Sequence, residues 1–480
     1  MGARRGRSLR ALLAGSLVVG VVVVGSVVVD SVPASASTPV SLYVAVGGAG
    51  DCTIPANACG SIHTAINTAQ GGAYNGDNVT INVAAGTYTE NDSISASSLN
   101  SLTLAGAGAS TTTVNGNQAG SVLTVSNGSV TISGLTIENG STRNGTGGGI
   151  FNGGTLTVTD STIRDNDALG GGGIESVEGM LTVSDSTISG NGGQAGGGIE
   201  SVEGTLTVSD STFWGNTAIN GGGIESLSSS LTITDSTLSG NDATTNGGGI
   251  FTELGNDNLG ATIVAGNAGS NCYDGTGGIM TSVGYNLTDD ATGANCGFTR
   301  PTDVANAHPQ LGPLTDNGGP TETILPALGS PAIGVIPSSP ATILNGAQVC
   351  SRTDERGVAS FGSCTIGAVE GGFLISTTSL PNATPGTAYG VVTPVTLTTQ
   401  EAGISTSPYA TTLKWKKVTL PKGLKLSSAG VLSGTPSKNL PAGASSITVK
   451  VTETVTTLSS KNKKVKTPTT VQATIPLTIT

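Results

Sequence analysis

Carboxylates at regular spacing are the first residues in this chain that could do chemistry. Glu175, Glu200 and Glu225 recur at steps of 25, each directly after an isoleucine, and Glu178 and Glu203 stand three residues beyond the first two. A second column, Asp160, Asp185, Asp210 and Asp235, keeps the same step. If one step is one turn of a stacked structure, like charges point outward about 4.8 Å apart and repel by roughly 1 kcal/mol per pair even in bulk water. Calcium would relieve the glutamate column, because it takes several carboxylate oxygens at once, and so would a cationic ligand. The aspartates fall at turns, where a side chain bonded to nearby backbone accounts for them without any ligand.

Glycan chemistry is the other class to weigh. Hydrolysis needs two carboxylates facing each other across the scissile bond, and elimination needs a basic residue beside clustered acids. Arg143 and Arg164 are the cations within the repeats, and Arg164 stands beside Asp165. Trp214, next to an inward Phe213, and the rings of Phe151 and Phe251 are available to stack on sugar. His63 and His308 are read as structural. The sequence therefore puts ligand binding at Trp214, Glu175, Glu200 and Glu225, with the three glutamates doubling as the calcium set. No cofactor is required by this reading, and no catalytic residue is assigned.

The elements that must position these side chains are written in a repeat. Gly-Gly-Gly-Ile occurs five times, with its isoleucine at Ile150, Ile174, Ile199, Ile224 and Ile250. The strings LTVTDSTIRDN, LTVSDSTISGN, LTVSDSTFWGN and LTITDSTLSGN follow the first four, and their asparagines Asn166, Asn191, Asn216 and Asn241 also step by 25. Within each string, apolar and polar residues alternate, as in Leu181, Thr182, Val183 and Ser184. A period of two means strands with one apolar face. Such short strands close a core only by stacking turn upon turn. Glycine and asparagine mark the corners, and parallel crossovers are right-handed in nearly all cases. The predicted fold class is all-β: a right-handed parallel β-helix (a pectin-lyase-like solenoid) with a small C-terminal β-sandwich. Ser61 opens a helical pattern with Ile62, Ala65, Ile66 and Ala69 on one face, which is predicted to cap the first turn.

Composition sets the outer bounds. With 74 glycines, 11% charged and 3% aromatic residues in 480, the chain suits β-structure with many tight turns and is too weakly charged for a disordered one. Between residues 37 and 371 there are 28 acidic residues against five arginines and no lysine, so nucleic acid is excluded as a partner. From residue 372 the balance inverts, with 11 lysines against Glu401 and Glu453, which reads as a solvated surface. Arg4, Arg5, Arg7 and Arg10 precede an apolar run from Ala11 to Val29 and a small-x-small site at Ala34-Ser35-Ala36. This is the pattern of a signal peptide, with an uncleaved anchor as the alternative because the run is long. A secreted or cell-surface protein is expected, with no membrane span after cleavage. Six cysteines allow 15 pairings, of which the sequential set Cys52 with Cys59, Cys272 with Cys296 and Cys350 with Cys364 is expected.

Three resemblances add to this reading. The Gly-Gly-Gly-Ile and Ser-Thr-Phe-Trp-Gly-Asn strings over roughly residues 130–267 are similar to the polymorphic outer membrane protein repeat, although its Phe is met only by Phe213. The strings Gly284-Tyr285-Asn286-Leu287, Asp316-Asn317-Gly318-Gly319-Pro320-Thr321, Ser330-Pro331-Ala332-Ile333, Arg356-Gly357-Val358 and Ile366-Gly367-Ala368-Val369-Glu370 resemble the tail of choice-of-anchor β-helix proteins. That resemblance implies a secreted or surface β-helix and no particular chemistry. The last residues, 474–480, alternate like a final strand, so the usual anchor of that family is not expected. Leu420 to Leu426 and Gly430 to Pro436 resemble an immunoglobulin-like domain of bacterial surface proteins, with Trp415 expected in its core. The expected organisation is a signal peptide over 1–36, an N-terminal cap over 37–75, rungs over 76–300, the choice-of-anchor-like end over 301–371 and the immunoglobulin-like sandwich over 372–480. The expected role is an adhesin or a structural, carbohydrate-binding surface protein, with an extracellular glycan or envelope component as partner. The alternative is a polysaccharide lyase or glycoside hydrolase.

Overall fold

Alternation of apolar and polar residues does make strands, and three parallel sheets wind them into one solenoid. The computed structural model describes residues 39–480 apart from 143–144, 146, 328–329, 338–341, 345–346, 350–352, 359–362, 371–372, 376–379, 390–394, 397–398, 402–409 and 459–463. The signal-peptide segment, Arg143 and Cys350 thus lie outside the described residues.

One sheet has ten strands, from Pro39–Val44 to Ile279–Gly284, and we call it the long sheet. The glutamate sheet has eight, from Asp92–Ser95 to Cys272–Asp274, and the threonine sheet eight, from Gly86–Thr89 to Ile263–Ala265. The first strand of the long sheet comes from within the segment read as the N-terminal cap. Register is kept from turn to turn, so that like residues stack. Leu156, Leu181, Leu206 and Leu231 form one buried column and Ile150, Ile174, Ile199, Ile224 and Ile250 another. Burying these columns removes on the order of 2 kcal/mol worth of apolar surface per side chain from water.

The corners explain the other repeated residues. Asp160, Asp185, Asp210 and Asp235 each hold a left-handed backbone, with φ between 46° and 50°, where the chain passes from the long sheet to the threonine sheet. Aspartate tolerates that conformation better than most residues because its short side chain bonds locally. Glu178 and Glu203 occupy the equivalent position between the glutamate and long sheets, at φ 52° and 54°. The aspartate column therefore serves backbone geometry, whereas at the second corner Ser228 and Leu254 hold the same backbone as Glu178 and Glu203, at φ 50° and 57°.

Inside the third corner runs a ladder of buried asparagines. The Nδ2 group of Asn191 donates to Asn216 Oδ1 at 2.9 Å and to the carbonyl of Ile163 at 3.0 Å. Asn216 repeats this toward Asn241 Oδ1 at 2.9 Å and the Ile188 carbonyl at 2.9 Å, and Asn241 toward Asn267 at 3.0 Å. Each Oδ1 also accepts the main-chain N–H of the preceding asparagine, as Asn216 does from Asn191 at 3.1 Å. All the polar atoms of the amide are used, which is what burial in an apolar core demands.

At the N-terminal end lies the helix that the pattern after Ser61 implied. A helix over Ile62–Gln70 buries Ile62, Ala65, Ile66 and Ala69, and Ser61 Oγ accepts the Thr64 N–H at 3.1 Å as its N-cap. Disulfides join Cys52 to Cys59 and Cys272 to Cys296, and Cys364 is also disulfide-bonded. The C-terminal part carries antiparallel sheets, one of them formed by Ala410–Thr419, Gly443–Leu458 and Lys464–Ile479. Trp415 is buried with Leu432, Ile447, Val449, Ile475 and Leu477, as expected of an immunoglobulin-like core.

Asn216→Ala should destabilise the protein by about 2–4 kcal/mol, because it leaves the buried N–H groups of Asn191 that bond to Asn216 Oδ1 without that acceptor and the Asn241 Oδ1 short of a donor. Chemical denaturation followed by circular dichroism measures this, and a loss under about 1 kcal/mol would show that the ladder is not what holds the corner.

Candidate functional site

Alternation sends every second residue of the threonine sheet outward, in two columns. One runs Thr113, Thr136, Thr162, Thr187, Thr212 and Thr237. The other runs Asn115, Glu138, Arg164, Ser189, Trp214 and Ser239. The chain after residue 304 returns over this face and divides it into covered and open parts.

The covered part is held by a carboxyl that sequence reasoning missed. Glu355 is fully buried and takes hydroxyl hydrogen bonds from Thr187 at 3.1 Å, Thr212 at 2.5 Å and Thr321 at 3.1 Å. Burial pushes its pKa well above the usual carboxylate range, against the lowering effect of those hydroxyls. Thr237 Oγ1 accepts the N–H of Ala368 at 3.0 Å, so a third turn is engaged. Beside Glu355, the buried guanidinium of Arg356 forks onto Asp354 Oδ2, with Nε at 3.0 Å, and donates to the Glu370 carbonyl at 2.8 Å. Gly319 lies against this pair, where an added Cβ would meet the Arg356 Cα at 2.5 Å. The Asp-Asn-Gly-Gly-Pro-Thr and Arg-Gly-Val strings thus interlock with each other and with the threonine column. Three charged residues in a row at 354–356, in a weakly charged chain, were the available signal.

Two recesses remain open on the same face. One, of about 330 Å³, lies between the free end of the threonine column and the loop at 316–322; Thr113, Thr162, Arg164, Asp316 and Glu322 line it. Arg164 is held there by Glu138, which accepts from Nη2 at 2.7 Å and Nε at 3.0 Å. The other, of about 180 Å³, is lined by Trp214, Ser239, Gly240, Asp289, His308 and Leu311. Trp214 is half-buried, and its ring lies over Gly240, where a Cβ would sit 2.7 Å from a ring carbon. Asp289 is positioned by Asn271 at 2.7 Å and by the Gly266 N–H at 3.1 Å. His308, read as structural, accepts the Gln310 N–H on Nδ1 at 3.0 Å and borders this recess.

The glutamate column is placed differently from the sequence reading. Glu175, Glu200 and Glu225 are register neighbours and face away from the core, as the alternation requires. They are nonetheless only 6%, 8% and 4% exposed, because the glycine strings fold over them. Glu175 accepts the Gly147 N–H at 2.6 Å and Glu225 the Gly196 N–H at 3.0 Å, and Gly171 serves Glu200. Burial, then the neighbouring Glu175, raises Glu200 to about 7; burial, then Glu200 and Glu253, raises Glu225 to about 8. The ladder does not meet Trp214 in one site. Among the described residues no group of three or more His, Cys, Asp or Glu is arranged to hold a metal ion.

Two further buried acids escaped the sequence reading. Asp257 interrupts the leucine column, opposite Leu231, and accepts the Leu231 N–H at 3.0 Å; burial raises it to about 6. Asp92 contacts His63 Nδ1 at 3.0 Å below the cap helix, and burial with the nearby Glu90 raises it to about 6.

A parallel β-helix joined to an Ig-like module fits a surface or structural β-helix protein. Residues 372–475 match the family described as "Putative Ig domain". No curated protein matches the chain. Two disulfides, and the absence among the described residues of a helix long and apolar enough to cross a membrane, are compatible with an extracellular protein.

Glu355→Ala should cost about 2–4 kcal/mol and expose the returning segment over 321–370 to limited proteolysis, since the hydroxyls of Thr212 and Thr321 lose their acceptor inside the protein while Thr187 keeps only the Glu322 carbonyl. Glu355→Gln, which keeps a carbonyl and the shape, should cost about 1 kcal/mol or less. Equal proteolysis of both variants and the wild type would show that the clamp does not hold the segment.

Proposed function

We propose that this chain is an exported, surface-displayed or secreted protein that binds an extracellular glycan, as an adhesin or structural component, through the open recesses of the threonine-sheet face. The observation that carries this reading is Trp214, fixed on a rigid sheet in an open recess with Asp289 and His308 at its rim. A held aromatic ring offers a face to a sugar, and neighbouring polar groups fix the sugar's orientation. The lysine-free acidic body and the signal-like N-terminus support work outside the cell. The covered glutamate column takes no part in this binding.

One arrangement favours the enzymatic alternative, a lyase or hydrolase. The recess at 316–322 sets Arg164 together with Asp316 and Glu322, the combination of a cation and acids that cleavage of a glycan would use. Its guanidinium is already committed to Glu138, so binding is preferred over turnover.

Binding of the mature protein to a panel of neutral and acidic polysaccharides, alongside new reducing ends with and without calcium, tests both readings. Retention on at least one polysaccharide is expected, weakened about tenfold or more by Trp214→Ala, a loss near 1.4 kcal/mol. Reducing ends that vanish in Arg164→Ala would instead establish the enzyme. Retention unaffected by Trp214→Ala would move the site elsewhere, and no retention on any member would remove the glycan reading.

A further inference from the structure

Beneath the glycine strings, three carboxyls are stacked, and among the described residues no opposite charge is paired with them. Glu175, Glu200 and Glu225 are consecutive in the parallel register, and Phe151 and Phe251 bracket them in the same column. The carboxyls of Glu175 and Glu200 both reach the space above Gly170, where an added Cβ would lie 2.8 Å from Glu200 Oε2. The covering segments 147–149, 170–173 and 196–198 are all glycine: they bring no side chain, give N–H groups to the carboxyls and bond to one another from turn to turn, as Gly148 N–H does to the Gly171 carbonyl. Glu253, from the turn after Glu225, is the other titratable group acting on the column. Among the described residues no lysine, arginine or histidine is paired with any of the three, and the chain has no lysine between residues 37 and 371.

We propose that this ladder is a proton-operated latch: the glycine strings lie closed over it while the carboxyls are protonated, and lift when they ionise. Ionised carboxylates about 4.8 Å apart in a covered column repel each other and lack the water that would solvate them. Among the described residues each carboxylate is given one N–H, too little to replace that water. Lifting the strings admits solvent and lays bare an acidic strip flanked by Phe151, Phe251 and Tyr273, the last two stacked with centroids 5.7 Å apart. Glycine is what lets the cover lie so close: at Gly198 a Cβ would meet the Gly223 carbonyl oxygen at 2.5 Å.

The direction follows from proton linkage. In the closed form Glu200 and Glu225 titrate at about 7 and about 8, above the 4.5 of a solvated glutamate, and Glu175 is shifted the same way. The closed form therefore holds more protons than the open one between these limits. Closure is fully favoured below pH 4.5, weakens as pH rises through about 7 and 8, and changes no further above that.

Amide hydrogen exchange of the full-length mature protein between about pH 5 and 9.5, with rates divided by the intrinsic rate at each pH, reads the latch directly. Protection of the Gly147, Gly171 and Gly196 amides should fall at least tenfold between pH 6 and 9, while Leu181 and Leu206 in the long sheet keep theirs. The double variant Glu200→Gln/Glu225→Gln should show no such fall. Constant protection at the three glycines, loss in step with the long sheet, or the same fall in the variant would each overturn the proposal. Should the variant not fold, carbon-13 carboxyl shifts of glutamate in the wild type decide: a column titrating wholly below pH 5.5 would equally overturn it.

Discussion

Stacking at one fixed spacing is the constraint on which the rest of this structure depends. A solenoid turn of 25 residues has three corners, and at each the chain must bend without leaving buried main-chain groups unpaired. The asparagine ladder answers this at one corner by bonding each amide both to its copy on the next turn and to the main chain of the turn before. Left-handed aspartates answer it at another. Neither device works unless the next turn presents the same residue at the same height, so the step stays within one residue of 25 through these turns and the apolar columns follow from it.

The same regularity accounts for what could be read in advance. Period-two alternation, the isoleucine and asparagine columns, the helix opened by Ser61 and the buried Trp415 all depend on neighbours within one turn or one copy of it, and the structure has each of them. The glutamates were read correctly as facing away from the core and incorrectly as open. Their cover comes from glycines of the preceding turn, 28 residues from Glu175 in the case of Gly147, and glycine carries no pattern that announces what it will lie against. Glu355 was out of reach for a stronger reason. It meets Thr187 across 168 residues and Thr212 across 143, and no periodicity links a returning segment to the turn it lands on.

That returning segment shapes the face where function is placed. By fastening to Thr187, Thr212 and Thr237 it removes the middle of a long hydroxyl column from solvent and leaves a polar recess on one side and the tryptophan recess on the other. The strings that resemble a family tail are thus spent on docking. Most of their residues hold the tail in place; Asp316 is the exception, lining the polar recess, and the other groups open to a ligand are contributed by the turns and by neighbouring loop residues. The resemblance to such a tail consequently bears on architecture more than on what is bound.

The clamp also has a mechanical meaning. Hydrogen bonds in a solenoid run along its axis, so a pull on the C-terminal end loads the outermost turn first and would peel turns off one by one. Each peeled turn would yield about 80 Å of slack for 25 residues of chain. Glu355 and Ala368 tie three successive turns to a single segment, so those turns share the load and cannot spool out separately. A protein fixed to a surface and tugged through its C-terminal module would resist as a block until that one fastening fails, and only then lengthen.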